Sequence, residues 1–331
     1  MRDVAALADV SLATVSRVVN GDLRVDPEMA RRVTDAVALL GYRHDLTASS
    51  LRRADRGSAS IGLVVEDVAN PFFAAVHRGI EDVARRHRVL VLTGSSDEHP
   101  PRERELTEAL IARSVDGLIV SPVPGDQSHL ARERALGVEI VCDDRPARLF
   151  SADAVVSDNV GGARAAVDQL LARGHRRIAY IGDRPELFTS QQRLAGYRRA
   201  LGDHGVAEDP ALVRHTEPRG ANGDGIARAL LAAGDPPTAL FTAQNLITIG
   251  AVKALHDLGH QHRIAHVGFD DVPLAEVVEP AITVVAQDPR AIGTRAAELL
   301  FERLSGHDGP PRQVVIPVAL IVRGSGELPP P

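Results

Sequence analysis

Short apolar runs alternate with amphipathic segments through most of this 331-residue chain, and this alternation restricts the folds open to it. The first runs are IGLVVED (61–67), VLVLTG (89–94), VDGLIVSP (115–122) and VEIVCDD (138–144). Longer segments such as PFFAAVHRGIEDVARRH separate them. Nearly continuous apolar runs of this length are typical of parallel strands buried on both faces, with helices as the connections. The pattern predicts a doubly wound α/β domain.

The same alternation starts again after AVVSDN, so the pattern predicts a second α/β lobe. Its predicted strands lie at 177–182, 212–215, 238–242 and 264–269, with helices between them. Two such lobes in tandem leave a cleft between them, which is the usual place for a small ligand.

Composition excludes several classes of protein. Hydrophobic residues make up 44% of the chain and charged residues 25%, and no apolar run approaches the eighteen residues of a membrane span. No signal peptide is recognisable, so we expect a cytoplasmic protein without a membrane partner. The single cysteine, Cys142, cannot form an internal disulfide and is expected to be a buried strand residue.

The first forty residues have a different pattern, typical of three short helices. The predicted helices cover roughly Asp3–Ala8 and Thr14–Asn20, and a third begins at DPEMARRV, with Asp26 as N-cap and Pro27 in the first position. The polar stretch ADRGSAS (54–60) is the predicted linker to the α/β region.

Residues 1–20 fit a helix-turn-helix that binds DNA. The apolar seam would consist of Val4, Ala8, Val10, Val15 and Val18. The outward face of the second helix would carry Leu12, Ala13, Ser16, Arg17 and Asn20. Arg17 can bind guanine with two hydrogen bonds, Leu12 and Ala13 can contact thymine methyl groups, and hydroxyls such as Thr14 can donate to phosphates.

Charge does not decide whether this segment binds DNA. The formal net charge is −6, and residues 1–56 contain nine Arg against eight Asp and Glu. On spacing alone, a small helical subdomain with a solvated polar face remains an equal alternative.

Blocks along the whole chain resemble the LacI/GalR family of bacterial transcription regulators. They include DVAALADVSLATVSRVVNG, LTASSLRR, IGLVVEDVANPFFAAVHRGIE, DNVGGARAAVDQLLARGHRRIAYIG, VGFDD and VVIPVALIVRGS, in the family's order. The resemblance implies an N-terminal all-α helix-turn-helix headpiece followed by an α/β core of two doubly wound lobes, similar to periplasmic binding proteins. It also answers the question that spacing left open, in favour of DNA binding.

The resemblance implies a division into three parts. The helix-turn-helix domain would cover 1–45, the hinge helix and linker 46–60, and the effector-binding and dimerisation core 61–331. Within the core, the N-lobe would hold about 61–157 and 288–315, and the C-lobe about 158–286 and 316–327.

The resemblance also implies how the protein recognises DNA. A homodimer would place its headpieces in successive major grooves of a pseudo-palindromic operator. The hinge helix, Leu46–Arg53, would lie at the dyad, with Leu51 wedged into the minor groove. Such a short helix should form only on the operator and against its partner.

Six residues would bind a sugar-like effector between the lobes. By resemblance these are Asn70, Phe73, Asp144, Arg193, Asn245 and Gln287. The chain has Gln244-Asn245 where the family usually has Asn-Asp, and the loss of a carboxylate predicts a weakened site or an unusual effector.

No catalytic or metal-binding pattern competes with this interpretation. His256, His260, His262 and His266 are close in sequence, but a helix-to-strand turn would disperse them. Asp270 and Asp271 could be paired catalytic carboxylates, but at the C-terminal end of a strand they are expected to bind backbone and hold the cleft. We therefore predict a repressor with no cofactor and no enzymatic activity. The alternative is a cytoplasmic sugar sensor with impaired or absent DNA binding.

Overall fold

The computed structural model describes residues 1–19, 24–41, 58–216 and 222–331. The chain divides into two compact units, Met1–Ser58 and Ala59–Pro331, and each is described by itself below. Within the described ranges, no helix is both long enough and apolar enough to cross a membrane.

Three helices form the described part of the first unit: α1 (Arg2–Ala8), α2 (Leu12–Val19) and α3 (Pro27–Leu39). The predicted start of α3 is confirmed, because the Asp26 carboxylate accepts hydrogen bonds from the backbone N–H groups of residues 28 and 29 at 3.0 and 3.2 Å. Helix α2 begins two residues earlier than predicted. Ser11 is the reason, since its hydroxyl accepts from the backbone N–H of Thr14 at 3.1 Å and so caps the helix.

The core of this unit is the predicted apolar seam, completed by α3. Val4 and Val15 are fully buried and Ala8 is almost so, and Val33 and Ala36 of α3 pack against them. Val10 and Val18 are partly buried at the edge of the same cluster. The helix-turn-helix seam is therefore confirmed.

The turn between α1 and α2 depends on Asp9, which has a left-handed backbone with φ 49° and ψ 54°. Its backbone N–H donates to the carbonyl of Ala6 at 3.4 Å, and Arg32 donates to the carbonyl of Asp9 at 3.0 Å. A side chain in this conformation is strained, and a carboxylate at the C-terminus of a helix opposes the helix dipole.

We expect Asp9→Gly to stabilise the first unit by about 1 kcal/mol, because glycine adopts this conformation without strain. The measurement is amide hydrogen exchange of α1 and α2 in the full-length protein, which should slow about fivefold. Asp9→Ala, which removes the carboxylate but keeps the strain, is the control. Unchanged exchange in Asp9→Gly would contradict the prediction.

The second unit begins with an alternating β/α segment that forms most of one lobe. Its elements are β1 (Ser60–Val65), α4 (Pro71–Arg86), β2 (Leu90–Ser95), α5 (Pro100–Ala112), β3 (Gly117–Val120), α6 (Ser128–Ala135), β4 (Glu139–Asp143) and β5 (Asp153–Ser157). Cys142 lies buried in β4, as predicted.

The chain then builds the second lobe and returns to the first. The second lobe holds α7 (Asn159–Ala172), β6 (Ile178–Gly182), α8 (Phe188–Asp203), β7 (Val213–His215), α9 (Asn222–Leu231), β8 (Ala239–Thr242), α10 (Asn245–Asp257), β9 (Ala265–Phe269) and β10 (Thr283–Ala286). Helix α11 (Pro289–Leu304) and β11 (Gln313–Ile316) belong to the first lobe, and β12 (Ala319–Ile321) belongs to the second.

Each lobe contains one six-stranded sheet. The first has the order β11-β5-β4-β3-β1-β2 and all its pairs are parallel. The second has the order β12-β10-β9-β8-β6-β7, parallel except for β12, which runs antiparallel to β10. The predicted doubly wound architecture is confirmed.

Helices cover both faces of each sheet, which explains the continuous apolar strands. In β1, Ile61 and Leu63 face a cluster that includes α4 and α11, whereas Val64 faces a separate cluster with α5 and α6. In the second lobe, Tyr180 packs towards α7 and α8, and Ile181 packs towards α9 and α10.

Helices α4 and α11 approach each other to backbone contact. A Cβ atom added at Gly293 would lie 2.0 Å from the carbonyl oxygen of Val76, and one at Gly79 would lie 2.3 Å from that of Arg290. Only glycine permits this approach, so the last long helix of the chain packs directly on the first helix of the lobe.

Candidate functional site

The predicted DNA-binding face lies on α2 and is open to solvent. Leu12 is 47% exposed, Ala13 and Arg17 are exposed, and Thr14 and Ser16 are half-buried. Asn20 and Leu51 lie outside the described residues. The exposed set combines a guanidinium with small apolar groups, the chemistry that reads guanine and thymine in a major groove.

The six predicted effector residues line one cavity between the lobes of the second unit. They are Asn70, Phe73, Asp144, Arg193, Asn245 and Gln287. The cavity lies at the carboxyl ends of parallel strands, because its residues follow β1, β4, β6, β8, β9 and β10. Its free volume is about 30 Å³, room for roughly two waters.

Two amide side chains bridge the lobes across this cavity. Asn70 is the N-cap of α4 and accepts from the backbone N–H of Phe72 at 3.0 Å. Its Oδ1 also accepts from Nδ2 of Asn245 at 2.6 Å. Gln244 caps α10 by accepting from the N–H groups of residues 246 and 247 at 2.7 and 3.1 Å. The unusual Gln-Asn pair therefore begins a helix and supplies a donor that a carboxylate lacks.

Arg193 is anchored inside the second lobe. Its Nε donates to Oδ1 of Asn159 and one terminal nitrogen donates to the carbonyl of Ala243, both at 2.8 Å. The guanidinium carbon lies 3.9 Å above the ring of Phe269, a cation–π arrangement. These contacts fix the guanidinium at the wall of the cavity.

Asp270 organises the opposite side of the second lobe. It accepts from the backbone N–H of Asn245 at 3.2 Å and from Nε2 of Gln287. The expectation of backbone binding is confirmed for Asp270 and wrong for Asp271, whose carboxylate instead accepts from the Arg323 guanidinium at 3.0 and 3.1 Å. Burial raises the pKa of this carboxyl, and Arg193 and the two donors oppose that rise.

In the first lobe, Asp144 and Arg145 reach the cavity from the end of β4. Asp144 has a left-handed backbone with φ 62°, and its carboxylate accepts from Nε of Arg145 at 3.2 Å. Arg145 is 4% exposed and forms a 2.6 Å ion pair with Glu98. Glu98 is paired in turn with Arg184 of the second lobe at 3.0 Å.

Sequence reasoning missed seven further residues of the cavity wall: Glu66, Phe72, Arg145, Asp183, Thr189, Gln244 and Asp270 as a lining residue. Five of the seven lie within two residues of the end of a strand, so the strand ends were the signal that identified the region. Which side chains turn inward depends on the loops, and that is not visible in the sequence.

The histidine cluster has a structural explanation. His266 is 1% exposed, and its Nε2 lies 2.8 Å from the hydroxyl of Thr242 inside the second lobe. Burial lowers the pKa of His266 to about 4, so it is neutral. Across the described ranges, no group of three His, Cys, Asp or Glu is arranged to hold a metal ion.

Known proteins match this chain over almost its full length. Residues 1–45 match the family described as bacterial regulatory proteins, lacI family, and residues 167–326 match the periplasmic binding protein-like domain. The HTH-type transcriptional regulator GalS of Salmonella typhimurium is 33% identical over 308 residues, which cover 92% of this chain and 90% of that protein.

Two solved structures match in fold as well. The transcriptional regulator CelR in complex with cellobiose is 30% identical, with 98% of each chain covered and a TM-score of 0.75. The lac repressor dimer bound to operator and the anti-inducer ONPF is 25% identical, with 98% of each chain covered and a TM-score of 0.86. These relatives are DNA-binding regulators and not enzymes, and this chain belongs to the LacI family of bacterial transcription regulators.

Proposed function

We propose that the protein is a cytoplasmic repressor that binds a pseudo-palindromic operator as a homodimer and is controlled by a small sugar or polyol. The observation that supports this best is the convergence of all six predicted effector residues on one cavity between the lobes. The CelR relative is in complex with cellobiose, a neutral sugar, and this supports sugars as the class of ligand for the present chain.

The proposal assigns a role to each part of the chain. Residues 1–45 bind the major groove through Leu12, Ala13, Thr14, Ser16, Arg17 and Asn20. Residues 46–60 form the hinge helix and linker, with Leu51 as the minor-groove wedge. The core, 61–331, binds the effector and dimerises.

Control by the ligand requires that the core differ between bound and free states. The 2.6 Å bond from Asn245 to Asn70 spans the cavity and holds the lobes together. A ligand that replaces this bond changes the separation of the lobes, and with it the hinge that the core supports. A shift from mostly bound to mostly free operator requires about 10²- to 10⁴-fold differential affinity between the two core states.

The test of DNA recognition is a fluorescence-anisotropy titration of the full-length protein. One duplex is a palindrome with a central CpG from upstream of the protein's own gene, and the other is its scrambled version, at about 0.15 M salt. Preference for the palindrome of about 10³ or more is expected. Equal weak binding to both duplexes would overturn the proposal in favour of a sugar sensor.

Arg17→Ala is expected to reduce the preference for the palindrome by about 10- to 100-fold, because a bidentate arginine–guanine contact contributes about 1–3 kcal/mol of discrimination. Affinity for the scrambled duplex should change little. The matched control is Arg31→Ala, which removes the same charge from an exposed position on α3. This variant is expected to weaken binding to both duplexes by the same factor, so the preference for the palindrome should not change. If Arg17→Ala and Arg31→Ala change the preference for the palindrome equally, Arg17 does not read bases.

A further inference from the structure

Carboxylates outnumber guanidinium groups in the wall of the cavity between the lobes. Four carboxyl side chains line it, Glu66, Asp144, Asp183 and Asp270, against the two arginines Arg145 and Arg193. A neutral sugar needs acceptors and donors in balance, so this excess of carboxyl groups calls for a separate explanation.

The two arginines are already occupied by the protein. Arg193 donates to Asn159 and to the carbonyl of Ala243, both at 2.8 Å. Arg145 is paired with Glu98 at 2.6 Å and with Asp144 at 3.2 Å. Neither guanidinium is therefore available to neutralise the remaining carboxylates fully.

Glu66 has no close cationic partner in the described part of the first lobe. Its nearest cation is Arg145 at 3.8 Å, which is beyond hydrogen-bond distance, and no donor among the described residues reaches its carboxylate. Its side chain is 14% exposed, so water does not compensate fully.

Asp183 and Thr189 face the same cavity from the second lobe, and each is 7% exposed. One Asp183 oxygen accepts from the backbone N–H of Arg184 at 2.6 Å. The other Asp183 oxygen and the Thr189 hydroxyl have no hydrogen-bond partner within the described part of the chain. Both groups line the cavity, so they are open to a ligand that enters it.

Electrostatics agree with this geometry. Burial raises the pKa of Glu66 to about 8, with Glu98, Asp183 and Asp144 adding to the rise and Arg145 opposing it. Burial likewise raises the pKa of Asp183 to about 6; Glu98 adds to it, and Arg145, Arg184 and the backbone N–H of Arg184 oppose it. A positive charge between the two side chains would stabilise both ionised forms.

We infer that the effector carries a protonated amine that binds between Glu66 and Asp183, as in an amino sugar or an amino polyol. Its hydroxyls would meet Asn70, Thr189 and Gln287, and its apolar face would pack on Phe73. This inference rests on the proposal that the cavity is the effector site. An organic ammonium fits better than a metal ion, since the described residues provide no group of three metal ligands.

The test is isothermal titration calorimetry of the full-length protein at about pH 7 with D-glucosamine, D-glucose and N-acetyl-D-glucosamine, and with D-galactosamine and D-galactose. Each amino sugar should bind at least about tenfold more tightly than the neutral sugars of the same configuration. The reason is that hydrogen bonds between charged groups are stronger than those between neutral groups. The binding enthalpy of the amino sugar should also depend on the buffer, since Glu66 releases a proton when the amine binds.

Glu66→Gln and Asp183→Asn should each remove that preference, measured in the same variant as the ratio of the dissociation constants of the neutral sugar and the amine. Glu108→Gln, which makes the same chemical change at an exposed position on α5, should retain it. A preference that survives in both cavity variants, tighter binding of a neutral sugar, or no binding of any amine would each overturn the inference. The operator titration tests the proposed function separately, because equal binding of the two duplexes there would overturn the repressor function whatever the calorimetry shows.

Discussion

Asp153→Ala is expected to lower the free energy of unfolding of the core by about 3–5 kcal/mol, because it leaves a buried guanidinium without its partner. The Asp153 side chain is fully buried and accepts from two nitrogens of Arg303, at 2.8 and 2.9 Å. It also accepts from the backbone N–H of Arg312 at 2.7 Å. This carboxylate therefore joins β5 to α11 and to the start of β11.

Thermal unfolding measured by calorimetry checks the effect, which corresponds to a decrease in Tm of about 10 °C or more. Asp203→Ala is the control. It breaks an exposed pair with Arg164 at 3.0 Å and should change Tm little, since exposed pairs are screened by water. Similar small shifts in both variants would contradict the prediction.

The effect of Asp153→Ala should depend on pH in a defined direction. Burial alone would raise the pKa of Asp153, but hydrogen bonds from Arg303 and Arg312 outweigh it and hold the pKa at about 2. Because the folded pKa lies below the ordinary value, the stabilisation is complete above about pH 4 and is lost as pH falls towards 2. The difference between wild type and variant should shrink over that range.

Gly293→Ala is expected to destabilise the core by about 3 kcal/mol, at the upper end of the cost of overpacking. The added methyl group would lie 2.0 Å from the backbone oxygen of Val76. No side-chain rotation can relieve a contact with backbone, so α4 and α11 must move apart. Urea unfolding followed by circular dichroism measures the loss.

Gly202→Ala is the matched control for that substitution. Gly202 lies near the end of α8, and nothing lies within 4 Å of the position where its Cβ would be. Alanine should be neutral there or stabilise by up to about 1 kcal/mol through its higher helix propensity. If both variants unfold at the same urea concentration, the close approach of α4 and α11 does not contribute to the free energy of unfolding.

The architecture could be predicted where an element is long and buried on both faces. The run at 61–67 covers all of β1 except Ser60, and the run at 138–144 contains β4, because helices cover both sides of the sheet and favour apolar residues there. Strands β10, β11 and β12 were not predicted. β11 alternates between exposed and half-buried positions, and Pro317 interrupts the apolar run that holds β11 and β12. The run ITVVA (282–286), which contains β10, is a signal that sequence reasoning missed.

The cavity could be located from the sequence, but its chemistry could not. The family's motifs indicate that Asn70, the N-cap of α4, and Arg193, on α8, line the same site. The unbalanced charge of Glu66 is different, because it arises only when Arg145 is paired with Glu98, a residue that belongs to the loop after β2. Sequence reasoning had no means of foreseeing that competition.

The return of α11 and β11 to the first lobe has a consequence for synthesis on the ribosome. The first lobe is discontinuous, and residues 158–286 must emerge before the helix that packs on α4 is made. Until then, the apolar surface around Ile80 and Val83 has no cover from α11, although β1 to β5 are complete. Growing chains should therefore bind chaperones through this surface until α11 has left the exit tunnel, and the second lobe should complete its central strands first.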